Sequence, residues 1–151
     1  MREMKDSGIE WIGKIPKAWK CVPIRALFKE NRNKNIFGVE TNALQFKAGE
    51  IVQKQNFDAE DDSYVAKTIL NYTIVDCGTL MINGLNLNFD FVTKRVALVR
   101  ERGIITSAYI AFQANDKNAI VPEYSNYLLK CYDNCTAFHN MGSGVRKILS
   151  F

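Results

Sequence analysis

Short apolar runs separated by turn signals fill the middle of the chain, and this pattern constrains the fold more than any other feature. Residues 73–75 lead into the turn Asp76-Cys77-Gly78, and the apolar run 79–82 follows at once. Three later runs have the same character, at 96–99, 104–105 and 108–112. Short apolar runs bounded by turn residues predict buried strands.

Turn and helix signals surround this strand-rich region. Lys47-Ala48-Gly49 separates two apolar segments at 43–46 and 50–53, which predicts a β-hairpin. One or two turns of helix are expected within 22–30, and a short helix is expected from a cap at Asp61, Asp62 or Ser63 to about Leu70. Two further helices are expected, from Pro122 through residue 129 and over 134–141. The 151 residues therefore predict one α+β domain over 1–151, with a twisted, mostly antiparallel sheet and flanking helices.

Both tryptophans of the chain lie in its opening segment, which we expect to be an ordered, extended arm over residues 1–20. Trp11 and Trp19 flank Pro16, which disfavours helix at Ile15. Large aromatic rings are favourable where another surface covers them, so both rings are expected to dock on the rest of the domain. If fully buried, each would cost about 3–5 kcal/mol on truncation to Ala.

Charge and hydropathy limit the classes of protein to consider. Residues 1–37 hold nine Lys or Arg and four Asp or Glu, a net of +5, which suits a polyanionic partner or simply a solvated surface. Neither a membrane-spanning run nor the apolar region of a signal peptide is evident, so a cytoplasmic protein without membrane contact is expected. In that compartment Cys21, Cys77, Cys131 and Cys135 are expected to be reduced and buried as small apolar groups.

Catalytic and metal-binding patterns are weak in this sequence, and no cofactor is expected. Cys131, Cys135 and His139 have the spacing of one helix face, but this is wrong for a zinc knuckle, and a core-facing stripe with Leu128 is preferred. A Cys135–His139 nucleophilic pair has no recognisable oxyanion hole. The acidic run 58–62 resembles a helix N-terminus more than a magnesium-dependent nuclease site.

Two other patterns suit contact with nucleic acid. The segment 142–147 lacks the full spacing of a nucleotide-binding loop, but it could present backbone N–H groups, Arg146 and Lys147 to a phosphodiester or be a plain connector. Asparagines are frequent in the predicted loops 31–35 and 83–88. Their amides can read adenine edges, although asparagine is also an ordinary loop residue.

Four stretches, taken in order, resemble segments of the specificity subunits of type I restriction–modification systems. The first is Gly8-Ile9-Glu10-Trp11-Ile12-Gly13 with the Ile-Pro pair and the second tryptophan that follow. The second is 75–83, where Thr79 stands in place of the family's usual Asp. The others are 102–109, with Thr106 where Ser is common, and 141–151, which is similar to the segment that closes a target recognition domain.

The resemblance implies that the chain is one of the two target recognition domains of a specificity subunit. Each such domain reads half of a bipartite duplex DNA site without catalysis, and the modification and restriction subunits are its protein partners. Residues 142–151 would begin the connection to a spacer helix. Groove chemistry adds candidate contacts, with Lys and Arg for phosphates and Asn for bases. They are Lys47, Lys54, Asn83, Asn86, Lys94, Arg95, Arg146 and Lys147.

Two other function classes stay open. A nuclease or methyltransferase domain would need a metal triad or a cofactor loop, neither of which is recognisable. The main alternative is a protein-interaction module or decoy that docks the modification subunit without reading DNA itself.

Overall fold

Short strands dominate the part of the chain that the computed structural model describes, which is residues 2–55, 67–144 and 148–149. Helix α1 has four residues, helix α2 has thirteen, a 3-10 helix follows α2, and residues 67–69 are also helical. The elements in chain order are β1 (Met4–Asp6), β2 (Lys14–Pro16), α1 (Ile24–Leu27), β3 (Phe28–Glu30), β4 (Leu44–Lys47), β5 (Glu50–Gln53), β6 (Thr73–Val75), β7 (Leu80–Ile82), β8 (Val96–Leu98), β9 (Gly103–Ile105), β10 (Ile110–Ala114), α2 (Pro122–Asn134) and the 3-10 helix (Ala137–Asn140).

The central sheet has four strands in the order β3-β10-β7-β8, and all of its pairs are antiparallel. Three two-stranded antiparallel sheets accompany it, β1–β2, β4–β5 and β6–β9. The α+β class with antiparallel sheets is therefore confirmed.

Strands β7 and β8 are apolar at every position because both faces of the sheet are covered there. Leu80 and Ile82 of β7 pack into a cluster with Leu129 of α2 and Phe138 of the 3-10 helix. Met81, between them, points to the opposite cluster, which includes residues of β4, β5, β6 and β9. Alternate side chains of a strand point to opposite faces, so each face gains its own core.

The predicted hairpin over 43–53 is confirmed as β4–β5. Its two turn residues, Ala48 and Gly49, have φ angles of 51° and 81°. Two consecutive positive φ values are typical of tight hairpin turns. The hairpin packs against β8 and β9.

The N-terminal segment is a β-hairpin, whereas an extended arm was expected. Strands β1 and β2 pair with Lys5 opposite Ile15, and Ile15 is buried. Trp11, in the connection between them, lies edge-on against Tyr132 of α2 with ring centroids 4.8 Å apart. Trp11 is still 38% exposed and Trp19 is 52% exposed, so only the first ring docks as expected, and neither is fully buried.

Other differences follow from tertiary structure. Of the one or two helical turns expected within 22–30, α1 is a single turn, since the chain joins the sheet as β3 from Phe28. The strand expected at 108–112 runs instead from Ile110 to Ala114, and the helix expected over 134–141 is the shorter 3-10 helix. Apart from residues 67–69 and the end of its last turn, the helix expected from 61 to 70 lies outside the described residues.

The cysteine prediction was wrong about burial. All four cysteines are free thiols, but all four are exposed. Among the described residues, no helix combines the length and apolarity needed to cross a lipid bilayer.

Candidate nucleic-acid interface

The loop between β7 and β8, residues 83–95, contains four of the predicted contact residues and is stabilised by several hydrogen bonds. Its ends are joined where the Asn83 N–H donates to the carbonyl of Arg95 at 2.8 Å. Within it, the N–H groups of Phe89 and Asp90 both donate to the carbonyl of Asn86 at 3.1 Å. Asn86 has a φ of 54°, a left-handed conformation that asparagine tolerates better than most residues. We call residues 83–95 the β7–β8 loop.

Arg95 organises this loop from the inside. Its side chain is only 1% exposed, and its guanidinium donates to three backbone carbonyls. The acceptors are Asn83 at 3.0 Å, Leu85 at 2.8 Å and Asp90 at 2.5 Å. The prediction that Arg95 contacts DNA was wrong, because the loop encloses its guanidinium, which donates to backbone carbonyls. Its planar fork of donors suits the positioning of a backbone turn.

Asp90 and His139 also stabilise the β7–β8 loop. Asp90 Oδ1 accepts the N–H groups of Val92 at 3.1 Å and Thr93 at 2.9 Å. Hydrogen bonds from Thr93, and secondarily from Val92, lower the pKa of Asp90 from 3.8 to about 2. His139 Nε2 lies 3.1 Å from the Asp90 carbonyl, and because a carbonyl only accepts, Nε2 carries the hydrogen. The Phe91 ring stacks on the imidazole at 4.5 Å and 8°.

Lys94 and Lys47 lie beside the same end of the sheet. The β4–β5 turn approaches so closely that a Cβ on Gly49 would be 2.9 Å from Lys94 Cβ. Lys47 is exposed on the strand that enters that turn, and Lys94 is exposed with its Nζ 3.4 Å from Asn134 Oδ1. The nearby acids have other partners, since Glu50 pairs with Lys130 at 3.5 Å and Asp133 accepts the Arg95 N–H at 2.8 Å. Lys94 thus lies against the turn that follows Lys47, so two predicted phosphate contacts are at the same end of the sheet.

The other predicted contacts have different positions. Asn86 is exposed in the β7–β8 loop, and its side-chain amide makes no hydrogen bond to any described residue. Asn83 is half-buried, and its Oδ1 accepts the Leu85 N–H at 3.2 Å, so its side chain shapes the loop. Lys54 is exposed beyond the far end of β5, roughly 13 Å along the strand from the hairpin turn. Arg146 and Lys147 lie outside the described residues.

Two of the three asparagines of 31–35 hold the fold together through their side chains. Asn31 Nδ2 donates to the Ile74 carbonyl at 2.8 Å. Asn35 is 2% exposed and exchanges hydrogen bonds with the backbone of Glu40. These two amides connect the loop after β3 to its neighbours, so they are not available to read bases.

The geometry does not support the weaker catalytic and metal patterns. Helix α2 ends at Asn134, so Cys131, Cys135 and His139 do not form one helix face. The two cysteines are exposed, whereas the His139 ring is buried beneath Phe91, so the predicted core-facing stripe was wrong for the cysteines. Within the ranges described, no three His, Cys, Asp or Glu side chains could hold a metal ion. The acidic run 58–62 lies outside those ranges.

The structure adds exposed apolar residues that sequence reasoning missed. Phe89, Phe91 and Val92 are 73%, 64% and 88% exposed, all at the tip of the β7–β8 loop. One signal was present in the sequence, because Phe89, Phe91 and Val92 are apolar residues around Asp90 and lie in a segment without strand or helix periodicity. A loop that exposes three large apolar side chains points to an interaction surface.

Comparisons with known proteins add no assignment. No protein-family model matches the chain, and a search of curated proteins finds no match.

Proposed function

We propose that this chain recognises double-stranded DNA in a sequence-specific manner, as a target recognition domain of a type I restriction–modification specificity subunit. In this proposal it reads one half-site in the cytoplasm and carries out no catalysis itself. Methylation and cleavage belong to the modification and restriction subunits with which it would assemble. The resemblance of four ordered stretches supports this assignment.

The structural observation that carries the proposal is the β7–β8 loop held from within by Arg95. A loop that is ordered before binding loses less conformational entropy when it enters a groove. The exposed Asn86 amide supplies the donor and acceptor pair that an adenine edge requires. Lys94, with Lys47 beside it, supplies positive charge at the flank, where a phosphate backbone would lie.

The N-terminal third adds exposed positive charge. Lys17 and Arg32 form ion pairs with Glu3 and Glu30, which leaves six other exposed cations in this region. These are Arg2, Lys5, Lys14, Lys20, Arg25 and Lys29. One domain makes few base contacts, so binding by the single chain is expected to be weak and to tighten in a full assembly through effective concentration.

Salt dependence of DNA binding tests the proposal. Fluorescence anisotropy of the chain with a labelled pool of random duplexes should show affinity that falls as salt rises. Replacing Lys47 and Lys94 with Ala should reduce the magnitude of the slope of log K against log salt by about 2, or roughly 0.9 for each phosphate that is no longer neutralised.

Lys117→Ala is the matched control. Lys117 is exposed and lies near Thr79, at the opposite end of β7 from the loop. Its replacement should leave the slope unchanged. Binding that is absent, or indifferent to salt, would refute the proposed function, and an equal effect of Lys117→Ala would refute the assignment of Lys47 and Lys94.

Protein docking is a second candidate function, favoured by one exposed loop. Ile36, Phe37 and Val39 are 62%, 85% and 83% exposed, and the intervening Gly38 lies against Leu70. A surface of this kind suits a partner protein such as a modification subunit. If docking is the function, Phe37→Ala/Val39→Ala should abolish capture of a purified modification subunit, and the chain should bind no DNA.

A further inference from the structure

The tip of the β7–β8 loop presents apolar groups to solvent in a fixed arrangement. Phe91 covers the His139 imidazole with one face, so its ring helps to hold the tip. Phe89 and Val92 lie on either side of it in the chain and are 73% and 88% exposed. A tip supported by hydrogen bonds and packing fixes the backbone from which these two side chains project before any partner binds.

The polar groups of the loop define which partner such a tip fits. The only carboxylate within the loop is Asp90, and its Oδ1 is occupied by the N–H groups of Val92 and Thr93. Lys94, later in the same loop, carries a positive charge and adjoins the hairpin that carries Lys47. An apolar tip with a cationic flank and an internally bonded acid is complementary to a polyanion that also exposes apolar groups.

Duplex DNA exposes apolar groups in its major groove only as the C5-methyl groups of thymine. An A·T pair shows there an acceptor and a donor on adenine, then an acceptor and the methyl group on thymine. The loop carries the matching set, because the turn that joins the Asn86 carbonyl to the Phe89 N–H at 3.1 Å fixes the backbone positions from which an amide and an aromatic ring project. Asparagine pairs with the adenine edge, and apolar side chains contact the thymine methyl.

We propose that the β7–β8 loop reads A·T base pairs in the major groove, with Asn86 on adenine and with Phe89 and Val92 against thymine methyl groups. This inference rests on the proposed function, since it names the bases that the same surface recognises. Phe91 and Arg95 are positioning residues in this scheme, because they act through the loop and touch no base.

The experiment begins with selection of bound sequences from a randomised duplex pool by the wild-type chain. The enriched duplex should contain A·T pairs. It is then made again with deoxyuridine in place of thymidine, which removes the methyl groups and keeps every base-pairing edge. Affinity for the wild-type chain should fall about fourfold for each methyl group contacted, which corresponds to the transfer of one such group from water.

Variants connect the effect to the named side chains. Phe89→Ala/Val92→Ala should bind the thymidine duplex as weakly as the wild type binds the deoxyuridine duplex, and should no longer distinguish the two duplexes. Asn86→Gly keeps the left-handed turn, since glycine adopts positive φ readily, and should relax the preference for adenine at one position. Phe37→Ala/Val39→Ala removes an equally exposed Phe and Val from another loop and should change nothing.

Each outcome separates this inference from the proposed function. If no sequence is enriched and no duplex is bound, the proposed function itself fails, and the inference fails with it. If a sequence is enriched but lacks A·T pairs, or if deoxyuridine leaves wild-type affinity unchanged, DNA recognition stands and the inference is overturned. The inference is also overturned if Phe89→Ala/Val92→Ala matches the wild type on both duplexes, which would leave the tip as a surface for a protein.

Discussion

Replacing Arg95 with Met tests how the candidate interface is built. The change removes three hydrogen bonds from a charged donor to the carbonyls of Asn83, Leu85 and Asp90. At roughly 1.5–3 kcal/mol each, their sum is about 5–9 kcal/mol. Two effects reduce that figure, because burial of the guanidinium itself costs several kcal/mol, and because half-exposed loop carbonyls can bind water once the side chain is gone.

The expected net loss is about 3 kcal/mol in the free energy of unfolding, which lowers Tm by roughly 10 °C in a chain of this size. Urea unfolding measures the loss, and hydrogen exchange should show faster exchange of the amides at 85–93 than in the wild type. Arg100→Met is the matched control, since Arg100 is exposed and pairs only with Glu123 at the surface, so it should cost less than about 0.5 kcal/mol. If Arg95→Met unfolds at the wild-type urea concentration, Arg95 does not support the loop.

Three further predictions concern the fold and the loop. Gly103→Ala should lower the free energy of unfolding by about 3 kcal/mol in urea titrations, because its Cβ would overlap the backbone carbonyl oxygen of Asn42; a loss below about 1 kcal/mol would contradict the close approach. Trp11→Ala should lower the free energy of unfolding by about 2 kcal/mol and Trp19→Ala by about 1 kcal/mol, as measured by thermal unfolding, because only Trp11 has an aromatic partner. Equal losses for the two variants would contradict this. The carboxylate of Asp90 has a lowered pKa, so its support of the loop is complete above pH 3.8 and is lost as pH falls toward about 2. Amide NMR shifts of residues 92 and 93 should follow this loss in the wild type and stay flat in Asp90→Asn.

The sequence predicted the sheet well where local signals and burial agree. β7 and β8 are apolar at every position and buried on both faces, so their runs in the sequence indicate strands without ambiguity. The β4–β5 hairpin was predicted for a similar reason, since Gly49 readily accepts the positive φ that its turn needs. In both cases neighbours in the chain supply most of the information.

The failures depend on contacts between distant residues. Arg95 reads as an exposed cation because charged residues are rarely buried without a partner, and its partners are backbone carbonyls, which no side-chain pattern reveals. Cys131 and Cys135 read as buried, but α2 turns its other side toward the sheet and then ends at Asn134. The exposure of Phe89 and Val92 likewise depends on how Arg95 and His139 hold the loop.

Competition between two duplexes tests the central claim most directly. The wild-type chain is bound to a labelled duplex enriched by selection, and unlabelled competitors carry either the same sequence or a scrambled one of identical length and composition, at one salt concentration. Each wrong base pair costs about 1–3 kcal/mol, so the scrambled duplex should compete at least about 30-fold less well once two or more contacted pairs are wrong. Equal competition by both duplexes would mean that the chain holds DNA only through its charge, and that it does not read sequence.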